Sequence, residues 1–168
     1  MSGAPLKIMV DANVWVDSFC VDHAESLAAR AFIGQATETG ALLFLPVHIA
    51  KYVVQHELKR SVLASGGALD EASARAIGDA ALAFVRNMTE NATAVGADAS
   101  DLWLADKYLA LHRDYEDNLV LAACKRAQVD NLVTNDRKLL EHADLAAKTP
   151  RQMMPILALA KRGSAVIG

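Results

Sequence analysis

Cysteine is scarce: the chain of 168 residues has two, Cys20 and Cys124. That excludes a disulfide framework and fits a reducing compartment, with Cys124 expected to behave as a small core residue in the apolar stretch Leu121–Cys124. Positive charge is in short supply too. Lys and Arg number 17 against 20 Asp and Glu, for a net charge of −3 and a pI near 5.9. Such a chain does not coat nucleic acid by bulk charge, although a local basic rim stays open. No run reaches the roughly 18 uninterrupted apolar residues of a membrane span. The opening residues show no basic region followed by an apolar one, so no secretory signal is expected. The expected location is cytoplasmic, with no membrane partner. Repeats and low-complexity tracts are missing. His48, His56 and His112 are not spaced as a zinc set, and no thiolate pair joins them.

What the chain does have is apolar substance, 53% hydrophobic residues against 22% charged. At this length one core is feasible, and 1–168 reads as a single domain with 1–5 as a loose tail. Leu6–Val10 reads as a strand. Ala41–Leu45, fully apolar and bounded by Gly40 and Pro46, suits a buried parallel strand. Asn91–Val95 and Asn131–Thr134 supply two more. Helical spacing covers about His23 to Thr37, Pro46 to Leu58, Asp70 to Arg86, Asp98 or Ser100 to Leu111, and Asp114 or Tyr115 to Ala127. Asp136–His142 is a short helix, and Thr149 with Pro150 starts a last one. Ser65–Gly67 is a turn between helices. Strands alternating with helices predict a three-layer α/β fold, a small and mainly parallel sheet flanked by helices.

Three acids stand at the borders of apolar runs. Asp11 follows Lys7–Val10, Asp117 opens Asn118–Ala123, and Asp136 ends Leu132–Asp136. In an open α/β sheet, chemistry gathers outside the carboxyl ends of the strands, where a first and a later strand lie side by side. Carboxylates collected there repel one another unless protonated or neutralised. A divalent cation is the simplest neutraliser, and hard oxygen donors suit magnesium or manganese. Plainer roles exist as well. Asp114, Glu116 and Asp117 fall in the first turn of a helix, where carboxylates favour the macrodipole and cap free N–H groups; Asp136 can cap the helix after it. Asp11 has little obvious helical role, so the joint pattern favours function.

Ile8–Asp17, Asp114–Cys124 and Leu132–Arg137 together resemble the PIN-domain nucleases, and more narrowly the toxin nucleases of bacterial VapBC-type toxin–antitoxin pairs. Thr149–Met153 resembles the start of that family's closing helix, so the resemblance runs from about Lys7 to Met154. It implies a PIN-like fold and a magnesium- or manganese-dependent endoribonuclease acting on RNA, with a protein antitoxin as candidate partner and a homodimer as the expected assembly. Carried over by position, Asp11, Asp117 and Asp136 match the metal-site acids. Asp114 and Glu116 sit beside Asp117 to supply or tune a ligand, and Asn13 and Thr134 match the polar supports of the first and last acids.

One departure stands out. The family usually has a glutamate about five residues after the strand-ending proline, and Lys51 occupies that place here. Glu57, six residues on, is rotated about 240° from the expected face. Lys51 reads as a solvent-facing residue and, with Arg137 and Lys138, as a candidate RNA contact. The pairs Lys125–Arg126 and Lys59–Arg60 are candidates for a positive rim. The three histidines read as surface or partly buried residues able to contact RNA, and Trp15 and Trp103 as packing or helix-interface residues. Lys51 also supports an alternative, a catalytically weakened PIN-like module that acts by binding RNA or protein. A third reading, a haloacid-dehalogenase-type phosphohydrolase, starts from Val10–Val14 but lacks the second aspartate, since Asn13 stands there.

Overall fold

The computed structural model describes residues 4–64, 66, 67 and 70–165, apart from the side chains at 54, 57, 58, 61 and 162–165. The proposed tail and the Ser65–Gly67 turn therefore lie partly outside the described residues, and the Glu57 side chain wholly so.

The central strand β1 (Lys7–Val10) shows how the sequence dictates the layers. Successive side chains point to opposite faces of a sheet. Ile8 and Val10 enter one core and Met9 the other, and all three are fully buried. Four further strands, β2 (Leu42–Pro46), β3 (Thr93–Val95), β4 (Asn131–Val133) and β5 (Ala147–Lys148), join it in the order β3-β2-β1-β4-β5, every pair parallel. On one face lie α1 (Ala12–Phe19), α2 (Ser26–Thr39) and α8 (Pro150–Ala165), whose Trp15, Phe32, Met153 and Leu157 pack with Leu43, Leu45 and Val133. On the other lie α5 (Ala99–Tyr108), α6 (Tyr115–Ala127) and α7 (Arg137–His142), where Tyr108, Leu121, Cys124 and Leu139 meet Leu132. Two more helices, α3 (Ile49–Ala64) and α4 (Glu71–Asn91), run side by side after β2. The expected three-layer α/β architecture is present.

Local chemistry sets the element ends. Gly40 takes the left-handed conformation (φ 72°) that closes α2, an arrangement in which a β-carbon is costly. Pro46 does not launch a helix as expected. It stays in β2, opposite Val95, and α3 begins at Ile49. The third strand is shorter than its Asn91–Val95 reading because α4 extends through Asn91. Asp98 and Asp101 form a reciprocal capping box at the start of α5. Trp15 is buried as expected, but Trp103 is 62% exposed, with the Lys107 ammonium 5.3 Å from its ring centre. Among the described residues no helix is long and apolar enough to cross a membrane.

Candidate functional site

The strand order reverses direction at β1, where β2 leaves to one side and β4 to the other, and such a switch opens a crevice at the carboxyl ends. Val10 pairs with Val133, and Asp11 N–H donates to the Val133 carbonyl at 3.0 Å. This register sets Asp11 and Thr134 beside each other. One Asp11 oxygen, Oδ1, accepts from Ala12 N at 2.7 Å and so caps α1, a helical role that the sequence did not suggest. The other, Oδ2, accepts from Asn13 Nδ2 at 2.8 Å and from the Thr134 hydroxyl at 2.7 Å. Thr134 Oγ1 accepts in turn from Asp136 N at 2.9 Å and Asn13 Nδ2 at 3.1 Å, while Asn13 Oδ1 accepts from Asn135 N at 3.0 Å. Asn13 and Thr134 thus tie the loop after β1 to the loop after β4. Despite these bonds, burial pushes the Asp11 carboxyl up to about 6, and the neighbouring charges of Asp117 and Asp136 add to the push.

The amino end of α6 supplies the opposing acids. Asp114 Oδ1 accepts from Glu116 N at 3.1 Å and Asp117 N at 3.4 Å, which makes it the cap of the helix. Asp117 is spared that duty. Its Oδ2 lies 2.7 Å from Nε2 of His112, a ring only 8% exposed. The histidine is held from behind, its N–H donating to the Tyr108 carbonyl at 2.8 Å and its carbonyl accepting from Asn118 Nδ2 at 2.9 Å. Partial burial raises the Asp117 carboxyl above its ordinary value, with Asp114 and Asp136 pushing the same way and His112 pulling back. Asp136 caps α7 through Oδ1, which accepts from Lys138 N at 2.7 Å and Leu139 N at 3.2 Å.

These side chains surround one cavity of about 230 Å³, lined by Asp11, Asn13, Asp114, Glu116, Asp117 and Asp136, with His48, Ile49 and Tyr52 as the facing wall. The structure therefore brings together five acids predicted from sequence, with Thr134 directly behind them. The basic residues fare differently. Lys51 and Lys138 are exposed and do not line the cavity. Arg137, also outside the lining, donates through Nε to Glu141 at 2.8 Å. Lys125 and Arg126 form no open rim: Lys125 pairs with Asp144 at 3.1 Å, and Arg126 with Asp98 and Asp101, both at 2.7 Å.

His48, in the turn before α3, and Tyr52, in its first turn, line the cavity, whereas Lys51 between them is exposed, as its solvent-facing reading expected. Burial lowers the His48 imidazole below its ordinary value, and its Nε2 is buried without a hydrogen-bond partner. Burial, followed by the charges of Asp11, Glu116 and Asp17, raises the Tyr52 phenol. The reading of the histidines as surface or partly buried holds for His48, whereas His112 is buried. A signal for each existed: His112 stands five residues before Asp117, and His48 stands two beyond the last residue of a buried strand.

The donor set is all oxygen, which fits a hard divalent cation. The carboxylates do not, however, converge into a trio with every ligand atom within 4.8 Å of the others. A divalent cation that keeps part of its water shell, with some carboxylates acting through water, does not require such convergence.

No protein-family model and no curated protein matches the sequence. Among solved structures, the crystal structure of Mycobacterium tuberculosis VapC20, a sarcin–ricin loop cleaving toxin, is similar at a TM-score of 0.55 and 14% identity, covering 74% of this chain and 86% of that one. At that identity the likeness shows the fold, which is PIN-like.

Proposed function

We propose that this chain is a metal-dependent endoribonuclease that hydrolyses phosphodiester bonds in RNA, in the manner of the toxin of a toxin–antitoxin pair. The observation that carries the reading is the buried Asp11 carboxylate, which shares one cavity with Asp117 and Asp136 at the β1–β4 switch. Five acids facing one cavity repel a phosphodiester, so an RNA backbone approaches only when that charge is offset. Asp11, Asp117 and Asp136 would hold the cation, with Asp114 and Glu116 adding negative potential beside it. When bound, a divalent cation neutralises charge on the phosphoryl oxygens and acidifies attacking water.

The chain's own residues do the positioning. Asn13 and Thr134 fix both rotation and charge of Asp11 by donating to the same oxygen. His112 orients Asp117 from outside the cavity. His48 and Tyr52 form the wall across from the acids, where the nucleotide would lie. The similarity in fold to a toxin that cleaves the sarcin–ricin loop supports RNA as the substrate. The phosphohydrolase alternative finds no support, since Asn13 donates to Asp11 and Thr134 and no lysine lines the cavity among the described residues.

The test is cleavage of a mixed RNA pool with manganese or magnesium and with chelator. Products are expected only with the metal, and their return is expected when metal is restored. RNA retained without metal-dependent products would identify a binding module instead. His112 gives a finer check. Groups that hydrogen-bond a metal ligand typically change affinity by about 10–100-fold when removed. His112→Ala is expected to weaken manganese binding by that factor, with His112→Gln recovering part of the loss. Equal affinity in the alanine variant would assign His112 to packing alone.

A further inference from the structure

We propose that Cys20, Asp22 and His23 form a second cation site separate from the acidic cavity and suited to zinc, with water completing the coordination. The sequence spacing Cys-x-Asp-His matches no familiar zinc pattern, so the convergence is made by the backbone. After α1 ends, Cys20 N–H donates to the Val16 carbonyl at 3.0 Å, His23 N–H to the Cys20 carbonyl at 3.1 Å, and Ser26 N–H to the His23 carbonyl at 3.1 Å. These successive turns fold the segment so that one ligand atom from each of Cys20, Asp22 and His23 lies within 4.8 Å of the others. Zinc bonds of about 2.0–2.3 Å in a tetrahedron place ligand atoms roughly 3.5 Å apart. Any adjustment to that geometry is open to Asp22, whose side chain is 64% exposed.

Two further observations favour a cation here. The Nδ1 of His23 lies 2.9 Å from Asp17 Oδ1, which fixes the ring and leaves Nε2 for a metal, the carboxylate–histidine arrangement typical of zinc ligands. Asp17 is itself pinned, because its Oδ2 accepts from Asn135 Nδ2 at 2.8 Å. His56 of α3 borders the group, its ring edge-on to His23 with centres 5.9 Å apart, without supplying one of its ligand atoms. The competitor is Arg60, whose Nη1 stands 3.8 Å from Asp22 Oδ2 in a half-exposed pair of little strength.

Thiolate and imidazole select zinc over magnesium, whereas the carboxylate cavity has the reverse preference. Binding is balanced by release of the Cys20 thiol proton to solvent as the sulfur–zinc bond forms. The site would fasten the turn between α1 and α2 beside His56 of α3. From there Tyr52, stacked on His56 at 6.2 Å, reaches the acidic cavity, and Asp17 reaches the loop that carries Asp136 through Asn135.

Cobalt(II), added alone to the full chain, is the probe. One equivalent is expected to give a thiolate-to-cobalt charge-transfer band and tetrahedral d–d bands, both removed by zinc. Cys20→Ser should abolish the charge-transfer band. Asp22→Asn, at an exposed position that does not threaten folding, should weaken cobalt affinity about tenfold or more. Asp11→Asn should leave the bands unchanged, so this result and the ribonuclease reading stand or fall separately. The proposal is overturned if the unaltered chain gives no charge-transfer band, if the band survives in Cys20→Ser, or if Asp22→Asn binds cobalt as tightly as before.

Discussion

Asp11→Asn is expected to lower metal-dependent RNA cleavage about a thousandfold, a barrier increase of about 4 kcal/mol, while the chain still folds. Of the acids in the cavity, Asp11 is the buried one, and it lies between the two loops that build the site. An amide in its place keeps the shape but removes the charge that would hold the cation. It also turns a donor toward Asn13 Nδ2 and the Thr134 hydroxyl, which now share Oδ2. Losing one such bond costs about 1 kcal/mol, and removal of a buried charge offsets it. Rates measured on a defined RNA, paired with a thermal melt of both proteins, separate the chemical loss from a folding loss. Activity within about tenfold of the parent would remove Asp11 from the catalytic role.

A second large effect concerns stability without metal, and its sign follows from Asp11. Burial raises that carboxyl from an ordinary 3.8 to about 6, so between these values the folded state holds more proton than the unfolded one. The stabilisation is complete below the ordinary value and is lost as pH rises through about 6. The span corresponds to about 3 kcal/mol, since each unit is worth about 1.4 kcal/mol. For a chain of this size that lowers the melting temperature by roughly 6–12 °C between about pH 4 and pH 7. Asp117, raised for the same reason, acts in the same direction. Asp98, held near 2 by Ser100 and Arg126, contributes the opposite slope, present above its ordinary value of 3.8 and lost as pH falls toward 2. The metal-free protein should therefore be most stable in mildly acid solution. Manganese at about a hundred times its dissociation constant should restore about 2.7 kcal/mol at neutral pH. Melts across this pH range, with and without manganese, check both parts. A flat profile, or the same neutral-side decline in Asp11→Asn, would count against the buried charge as the cause.

Strand β1 was legible because Ile8, Met9 and Val10 form an uninterrupted apolar run, and only a strand covered on both faces buries such a run completely. The acids were legible because each borders an element, the place where an open sheet exposes its chemistry. Strand β5, two residues long, offers no period to read. Charge pairs misled for a related reason: nothing in Lys125–Arg126 announces that Arg126 is claimed by Asp101, 25 residues earlier. His112 was missed although it stands five residues before Asp117, and the Cys20–His23 group was missed because turns, not intervals along the chain, bring its atoms together. Lys51 was read as solvent-facing because lysine is seldom buried unpaired, and it is exposed. Pro46 pairs within β2 instead of launching a helix, so α3 begins at Ile49, and Tyr52 lines the cavity.

The two outermost strands of the sheet, β3 and β5, are three and two residues long. Borders this brief present few unpaired backbone groups, which discourages self-templated growth into fibrils. They also deny a foothold to any companion that binds by extending the sheet. A protein that restrains this one must therefore grip helical faces or reach into the crevice with side chains.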